Sequence, residues 1–239
     1  MSNSKIALIT GVSREMGLGF EIAKQLIPLG YTVIVSARKL EQAQHLADQI
    51  GAQALSVDIA DDASVAAAAK EIERQFGKLD VLINNAGAFF DQGADPLAVD
   101  PTFMQAAFDT NLFGAWRMIM AFLPLLKKSE AGRIVNVSSE AGSHADPVFG
   151  LAHHFSVVPV YSLTKLALNG LTVKLAKALE GTSVKINSAS PGFVATFPGT
   201  EQYGARPVSE GAKSIVWAAT IPNDGPSGKF FRDGEELGW

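Results

Sequence analysis

The chain has 239 residues, 47% of them apolar and 18% charged, enough to bury a substantial core within one domain. Its 24 acidic and 20 basic residues give a net charge of −4, which argues against a nucleic-acid-binding surface, and the lack of cysteine removes disulfides, thiolate metal sites and thiol nucleophiles. The opening MSNSKIALIT has no basic start followed by a long apolar run, and the most membrane-like stretch, NLFGAWRMIMAFLPLL, carries Arg117 and Pro124; neither a secretion signal nor a membrane span is expected, and the expected location is cytoplasmic.

In chain order, short β-branched runs alternate with longer helical stretches. KIALIT, TVIVS, ALSV, LDVLIN, RIVNVSS and VKINSAS read as strands, several of them apolar throughout, as strands of a parallel sheet covered on both faces are. FEIAKQLIPL, LEQAQHLADQI and SVAAAAKEIERQF read as helices; Leu18, Ile22, Leu26 and Leu29 are spaced along one helix side. Repeated βα alternation predicts an α/β fold, a single-domain Rossmann-type doubly wound parallel sheet of about seven strands with helices on both faces. No linker or repeat divides residues 1–239, although the cofactor half would cover about 1–135 and the catalytic and substrate part about 136–239. Ligands of such sheets bind beyond the carboxyl ends of the strands.

Gly11 directly follows the first strand, and Gly17 and Gly19 open the first helix, in TGVSREMGLG. Glycines let the backbone approach a dinucleotide pyrophosphate, and N–H groups at a helix start bind its oxygens. The second strand ends in VSARKLE. Where an acid would bind the ribose 2′-hydroxyl of NAD, Arg38 stands instead, and a guanidinium matches a 2′-phosphate; NADP(H) is expected over NAD(H), with Arg14 as a second clamp. Downstream, YSLTK places Tyr161 and Lys165 four apart on one helix face, where an ammonium would favour the phenolate and lower the phenol pKa.

The loop resembles that of the short-chain dehydrogenase/reductase family, whose pattern is T-G-x-x-x-G-x-G. Two registers are open. Glu15 replaces the middle glycine, or two residues are inserted near Arg14 and Gly17 and Gly19 are the family's second and third glycines. The distance from Gly19 to Gly30 and the apolar face beginning at Leu18 favour insertion, with Arg14-Glu15-Met16 bulged outward. The resemblance extends along nearly the whole chain: Asp58 after the third strand, NNAG at Asn84 to Gly87, Asn111 in FDTNLFG, Ser139 in GRIVNVSSEAG, and PGFVAT at Pro191 to Thr196. It implies a catalytic set of Asn111, Ser139, Tyr161 and Lys165, with Ser138 the rival to Ser139. It implies cofactor contacts from Gly11, Ser13, Arg14, Gly17, Leu18, Gly19, Arg38, Asp58, Asn85, Ala86, Gly87, Tyr161, Lys165, Pro191, Gly192, Val194 and Thr196. The implied reaction is carbonyl reduction or its reverse: Ser139 binds the carbonyl oxygen, Tyr161 donates the proton, Lys165 holds the nicotinamide ribose and lowers the Tyr161 pKa, and Asn111 positions a relaying water.

Ser139 and Tyr161 are 22 apart, longer than is usual in the family, with SHADPVFGLAHHFSVVPV between them. Phe149, Leu151, Phe155, Val157 and Val158 there are candidates to line an apolar substrate pocket. His144, His153 and His154 lack a further ligand at metal-binding spacing, so no metal is expected. This insertion and the short segment FPGTEQYGARP look like the carbonyl-reductase branch, with an open site for a small-molecule carbonyl or alcohol. A homodimer, a homotetramer and a monomer all remain open. Two other readings fit the scaffold: a cofactor-independent lyase like the halohydrin dehalogenases, and an NADP(H)-sensing protein without turnover. The first would carry Arg in place of Lys165, and the second often loses catalytic residues, all four of which are retained here.

Overall fold

The computed structural model describes residues 4–88, 91–153 and 158–239. Its strands are β1 Lys5–Ile9, β2 Tyr31–Ala37, β3 Gln53–Ser56, β4 Val81–Asn84, β5 Arg133–Val137, β6 Lys185–Ala189, β7 Phe230–Arg232 and β8 Glu235–Glu236. They form one sheet in the order β3-β2-β1-β4-β5-β6-β7-β8, parallel except for β8, which runs against β7. The helices are α1 Leu18–Leu26, α2 Leu40–Ile50, α3 Asp62–Phe76, α4 Pro101–Phe108, α5 Ala115–Leu126, α6 Pro159–Ala178 and α7 Val208–Ala219.

The apolar strands are explained by two cores. Successive residues of a strand point to opposite faces. Ala7 and Ile9 of β1, Val33 and Val35 of β2, and Val81 and Ile83 of β4 pack with α1 and α7. Their neighbours Ile6, Leu8, Ile34 and Leu82 pack with α3 and α5 on the other face. No strand in the middle of the sheet can therefore alternate apolar with polar. The six expected strands all form, within a residue or two at their ends. The additional pair is the terminal hairpin β7–β8, turned by Asp233 and Gly234 with φ of 53° and 85°. An Asp-Gly pair suits such a turn because both central residues need positive φ. No described helix is long and apolar enough to cross a membrane.

The chain winds outward through β2 and β3, then returns to lay β4 beside β1, and the reversal opens a crevice at the carboxyl ends of those two strands. The helical stretch around Asn111 is not uniform: α4 and α5 are joined by a π-helical turn, Asp109–Gly114, which contains Asn111. Such turns shift the residues that follow around the helix axis and recur at functional sites.

Phe122 is fully buried between α5 and the sheet. Phe122→Ala is expected to cost about 3–5 kcal/mol of unfolding free energy in urea denaturation, through lost burial plus the cavity left behind.

Candidate active site

The crevice is floored by backbone. Gly11 has φ of 72°, and a Cβ on it would lie 2.5 Å from the Ala86 Cα, so β1 and β4 approach here more closely than any side chain permits. Thr10 Oγ1 accepts the N–H groups of Asn85 (3.1 Å) and Ala86 (3.0 Å), and Asn85 Nδ2 donates to Thr10 O at 2.8 Å. Gly19 is equally constrained, since a Cβ there would meet Asn85 Nδ2 at 2.6 Å. Helix α1 begins at Leu18 with Gly17 as its N-cap, where the insertion register puts it, and no side chain caps this end. Leu18 sends its side chain into the core. Ser13, Arg14, Glu15 and Met16 are exposed, and Gly17 N–H closes the bulge on Arg14 O at 3.0 Å.

The bulge places its charges unexpectedly. Glu15 accepts from Gln49 of α2 at 2.8 Å. Arg14 turns the other way: its guanidinium lies 4.2 Å from the Phe197 ring centroid and donates to Thr196 O at 3.3 Å. Arg38, just past β2, is exposed and has no side-chain partner among the described residues. Asp58 is half-buried and accepts the Ala60 N–H at 3.0 Å. An uncapped helix start, a backbone floor without side chains and an unengaged guanidinium at the end of β2 together fit a dinucleotide phosphate chain.

Beyond β5 the two serines part. Ser138 is buried and donates to Asn169 Oδ1 at 2.6 Å. Ser139 is half-buried and makes a hydrogen bond with Tyr161. Lys165, only 5% exposed, donates from Nζ to Val137 O at 2.8 Å and lies 5.4 Å from the Tyr161 ring centroid. Gly87 lies over the same spot, its Cβ direction 3.5 Å from Asn111 Oδ1 and 3.9 Å from Lys165 Nζ. The Asn111 amide is engaged on both ends: Oδ1 accepts the Ala88 N–H at 2.7 Å, and Nδ2 donates to Ala88 O and Thr164 Oγ1, each at 3.0 Å. It thus ties the end of β4 to α6.

The electrostatics depart from the expected sign. Burial pushes the Tyr161 phenol up to about 12; the Ser139 hydrogen bond pulls it down, while the nearby Glu140 and Asp91 carboxylates push it further up. Burial also pulls Lys165 down to about 8. Desolvation thus outweighs any help from the ammonium, which directs one of its N–H groups to Val137 O.

Pro191 and Gly192 follow β6. Gly192 N–H donates to Ser190 Oγ at 3.0 Å, and Arg206 Nε donates to Pro191 O at 2.8 Å. Val194 pairs with Arg206 in a parallel bridge, and Thr196 N–H bonds back to Val194 O at 2.9 Å. Of the insertion's apolar candidates, Phe149 is exposed, Leu151 half-buried and Val158 buried; Phe155, Val157 and His154 lie outside the described residues. His144 and His153 are exposed, and among the described residues no group of three potential metal ligands converges. Two features escaped sequence reading. Ala145 N–H and Ser143 Oγ bind the carbonyls of Trp239 (3.1 Å) and Gly238 (2.8 Å), anchoring the insertion to the end of the chain. Glu140, beside Ser139, is buried, accepts from Ser190 Oγ and pairs with Arg232 at 2.6 Å. Only its adjacency to Ser139 could have marked it.

A family model for short chain dehydrogenases matches residues 5–204. Short-chain dehydrogenase anuI of Penicillium roqueforti is 38% identical over 90% of this chain and 88% of its own. The (+)-neomenthol dehydrogenase of Arabidopsis thaliana is 32% identical over 95% of each. Among solved structures, a metagenomic short-chain oxidoreductase in complex with NADP superimposes with a TM-score of 0.77 at 27% identity, over 95% of this chain and 96% of that one. The chain belongs to the short-chain dehydrogenase family and is an oxidoreductase of that family.

Ser138→Ala is expected to lose about 1–2 kcal/mol of unfolding free energy in urea denaturation, because it strands a buried amide oxygen. Lys165 offers a pH test. Below pH 8 both folded and unfolded chains carry its proton, and folding bears the cost of burying the ammonium. Between about 8 and the ordinary 10.5 the unfolded chain binds more protons, so this group makes stability rise with pH. The stability of Lys165→Met relative to wild type should accordingly be greatest below pH 8 and decline toward pH 10.5 in a series of urea melts.

Proposed function

We propose that this protein is an NADP(H)-dependent carbonyl reductase of apolar ketones, aldehydes or quinones. The observation that carries the reading is the convergence of Ser139, Tyr161 and Lys165 at the carboxyl end of β5, with Ser139 hydrogen-bonded to Tyr161 and Lys165 buried beneath the ring. Gly11, Ser13, Gly17, the Leu18 and Gly19 backbone, Arg38, Asp58 and the Asn85–Gly87 segment would hold the dinucleotide, with Pro191, Gly192, Val194 and Thr196 at its nicotinamide end. When bound, the reduced nicotinamide supplies the hydride.

The chain's own residues supply the rest. Ser139 Oγ donates to the substrate carbonyl oxygen and polarises it. The Tyr161 hydroxyl donates its proton to the same oxygen as negative charge develops there. A phenol held protonated up to about pH 12 is in the donating form throughout the neutral range. Lys165 replaces the proton: lowered to about 8, its ammonium releases one readily. Asn111 keeps α6 and the end of β4 at fixed separation, so that Tyr161 and Lys165 stay aligned. Exposed Phe149, Phe193 and Phe197 offer apolar surface for the substrate. Among the similar proteins, a (+)-neomenthol dehydrogenase supports the substrate class and an oxidoreductase in complex with NADP supports the coenzyme.

Oxidation of NADPH by a panel of ketones, aldehydes and quinones, followed at the reduced-nicotinamide absorbance band, tests the reading; no turnover with any of them would refute it. Tyr161→Phe should lower kcat by about 10²–10⁴-fold with dinucleotide binding nearly intact. Arg38→Asp should move the coenzyme preference from NADPH toward NADH, and a wild-type preference for NADH would remove Arg38 from its role.

A further inference from the structure

Three helices of this protein begin in instructive contrast. Asp61 and Asp100 are the N-caps of α3 and α4, and each accepts an N–H two residues ahead of itself, from Ala63 (2.9 Å) and Thr102 (2.8 Å). Those are local caps, on exposed helix starts. Helix α6, which carries Tyr161 and Lys165, begins with Val158 as N-cap and Pro159 in its first position, and Val158 has no side-chain acceptor. Its first N–H groups are met instead from 69 and 70 residues away. Asp91 Oδ2 accepts the N–H of Val160 and that of Tyr161, the latter at 3.2 Å. Asp91 is 4% exposed and pairs with no cation among the described residues.

A buried carboxylate without a counterion is costly, and the positive end of a helix dipole with two N–H donors is what makes it tolerable. Several groups act on Tyr161. Ser139 hydrogen-bonds it, Lys165 lies under its ring, and Glu140 and Asp91 act on it through charge. Glu140 is compensated by Arg232 at 2.6 Å. Asp91, with no cation beside it among the described residues, adds a second and smaller negative influence at the base of the phenol-bearing turn.

We infer that Asp91 is a positioning residue for the reaction: from the segment after β4, its buried carboxylate closes the N-terminal end of α6, seats Tyr161 beside Ser139 and sets a fixed negative charge against loss of the phenolic proton. The inference rests on the reading of Tyr161 as proton donor. The crossing contact also means that the β4 segment, which carries Gly87 and Ala88, and the helix that carries the proton donor cannot move independently. Asp91 binds the start of α6, and Asn111, which also holds Ala88, binds its next turn through Thr164.

Asp91→Asn and Asp91→Ala separate geometry from charge. Asparagine retains an oxygen for the two N–H groups and loses the charge; alanine loses both. In the protein without ligands, tyrosinate absorbance corrected by Tyr161→Phe reports the ionisation of Tyr161, and amide hydrogen exchange at neutral pH reports the cap. Removing a negative neighbour stabilises phenolate. Asp91→Asn should therefore ionise Tyr161 at a lower pH than wild type while the Val160 and Tyr161 amides stay protected. In Asp91→Ala those two amides should exchange at least about tenfold faster, as expected when a cap is lost. In turnover, the high-pH limb of kcat for Asp91→Asn should move toward neutral pH with KM for NADPH unchanged. Tyr161 titration curves identical in wild type and Asp91→Asn would overturn the charge role, and unchanged exchange in Asp91→Ala would overturn the cap. Both readouts stand without turnover, so failure of the carbonyl-reductase reading would be seen separately, as inactivity of the wild type.

Discussion

No side chain fits between Gly142 and α6. A Cβ at Gly142 would lie 2.5 Å from the Leu166 N and 2.6 Å from the Lys165 carbonyl carbon, so the short turn Glu140–Gly142 and the helix meet backbone to backbone. Hydrogen bonds lock this contact from both directions: Lys165 Nζ to Val137 O, Ser138 Oγ to Asn169, and Asn169 Nδ2 to Gly142 O at 3.3 Å. Once the helix is seated this way, Ser139 and Tyr161 have little freedom to separate. The proximity that their chemistry requires is thus built during folding and need not be assembled at the moment of reaction.

The same seating is expensive in charge. Lys165, Glu140 and Asp91 are all buried within reach of one phenol. Each is stabilised differently: Lys165 by a backbone carbonyl, Glu140 by Arg232 and Ser190, Asp91 by the opening N–H groups of α6. Apolar residues of similar size would give a more stable core, as replacements of buried ion pairs elsewhere suggest. The compensation for this cost is a phenol held in its protonated form next to a lysine that gives up its proton easily. The Glu140 cluster also reaches across the sheet. Through Ser190 it holds the Gly192 N–H, so the turn after β5 and the turn after β6 share one buried carboxylate.

The lengthened glycine loop shows why an insertion can be absorbed at that place. The contacts that need glycine are at its ends, Gly11 against Ala86 and Gly19 against Asn85. Ser13, Arg14, Glu15 and Met16 project into solvent and leave the start of α1 where the sheet requires it. The extra length acquires contacts of its own, Glu15 toward α2 and Arg14 toward Phe197, and so bridges α2 to the segment after β6.

Periodicity and β-branched runs were sufficient for β1 to β6, for helices on both faces and for a crevice at the carboxyl ends, because a parallel sheet covered on both faces imposes its pattern on its inner strands. The residues Asn111, Ser139, Tyr161 and Lys165 could be named from local words in the chain. What the words could not contain were interactions between distant segments: that Arg14 stacks on Phe197, that Asp91 caps α6, and that Glu140 is buried with Arg232. The sign of the Tyr161 shift belongs to the same group. Four-residue spacing brings Lys165 near the phenol, but whether ammonium or burial prevails depends on how much water the surrounding elements exclude, and exclusion of water is a property of the packed molecule alone.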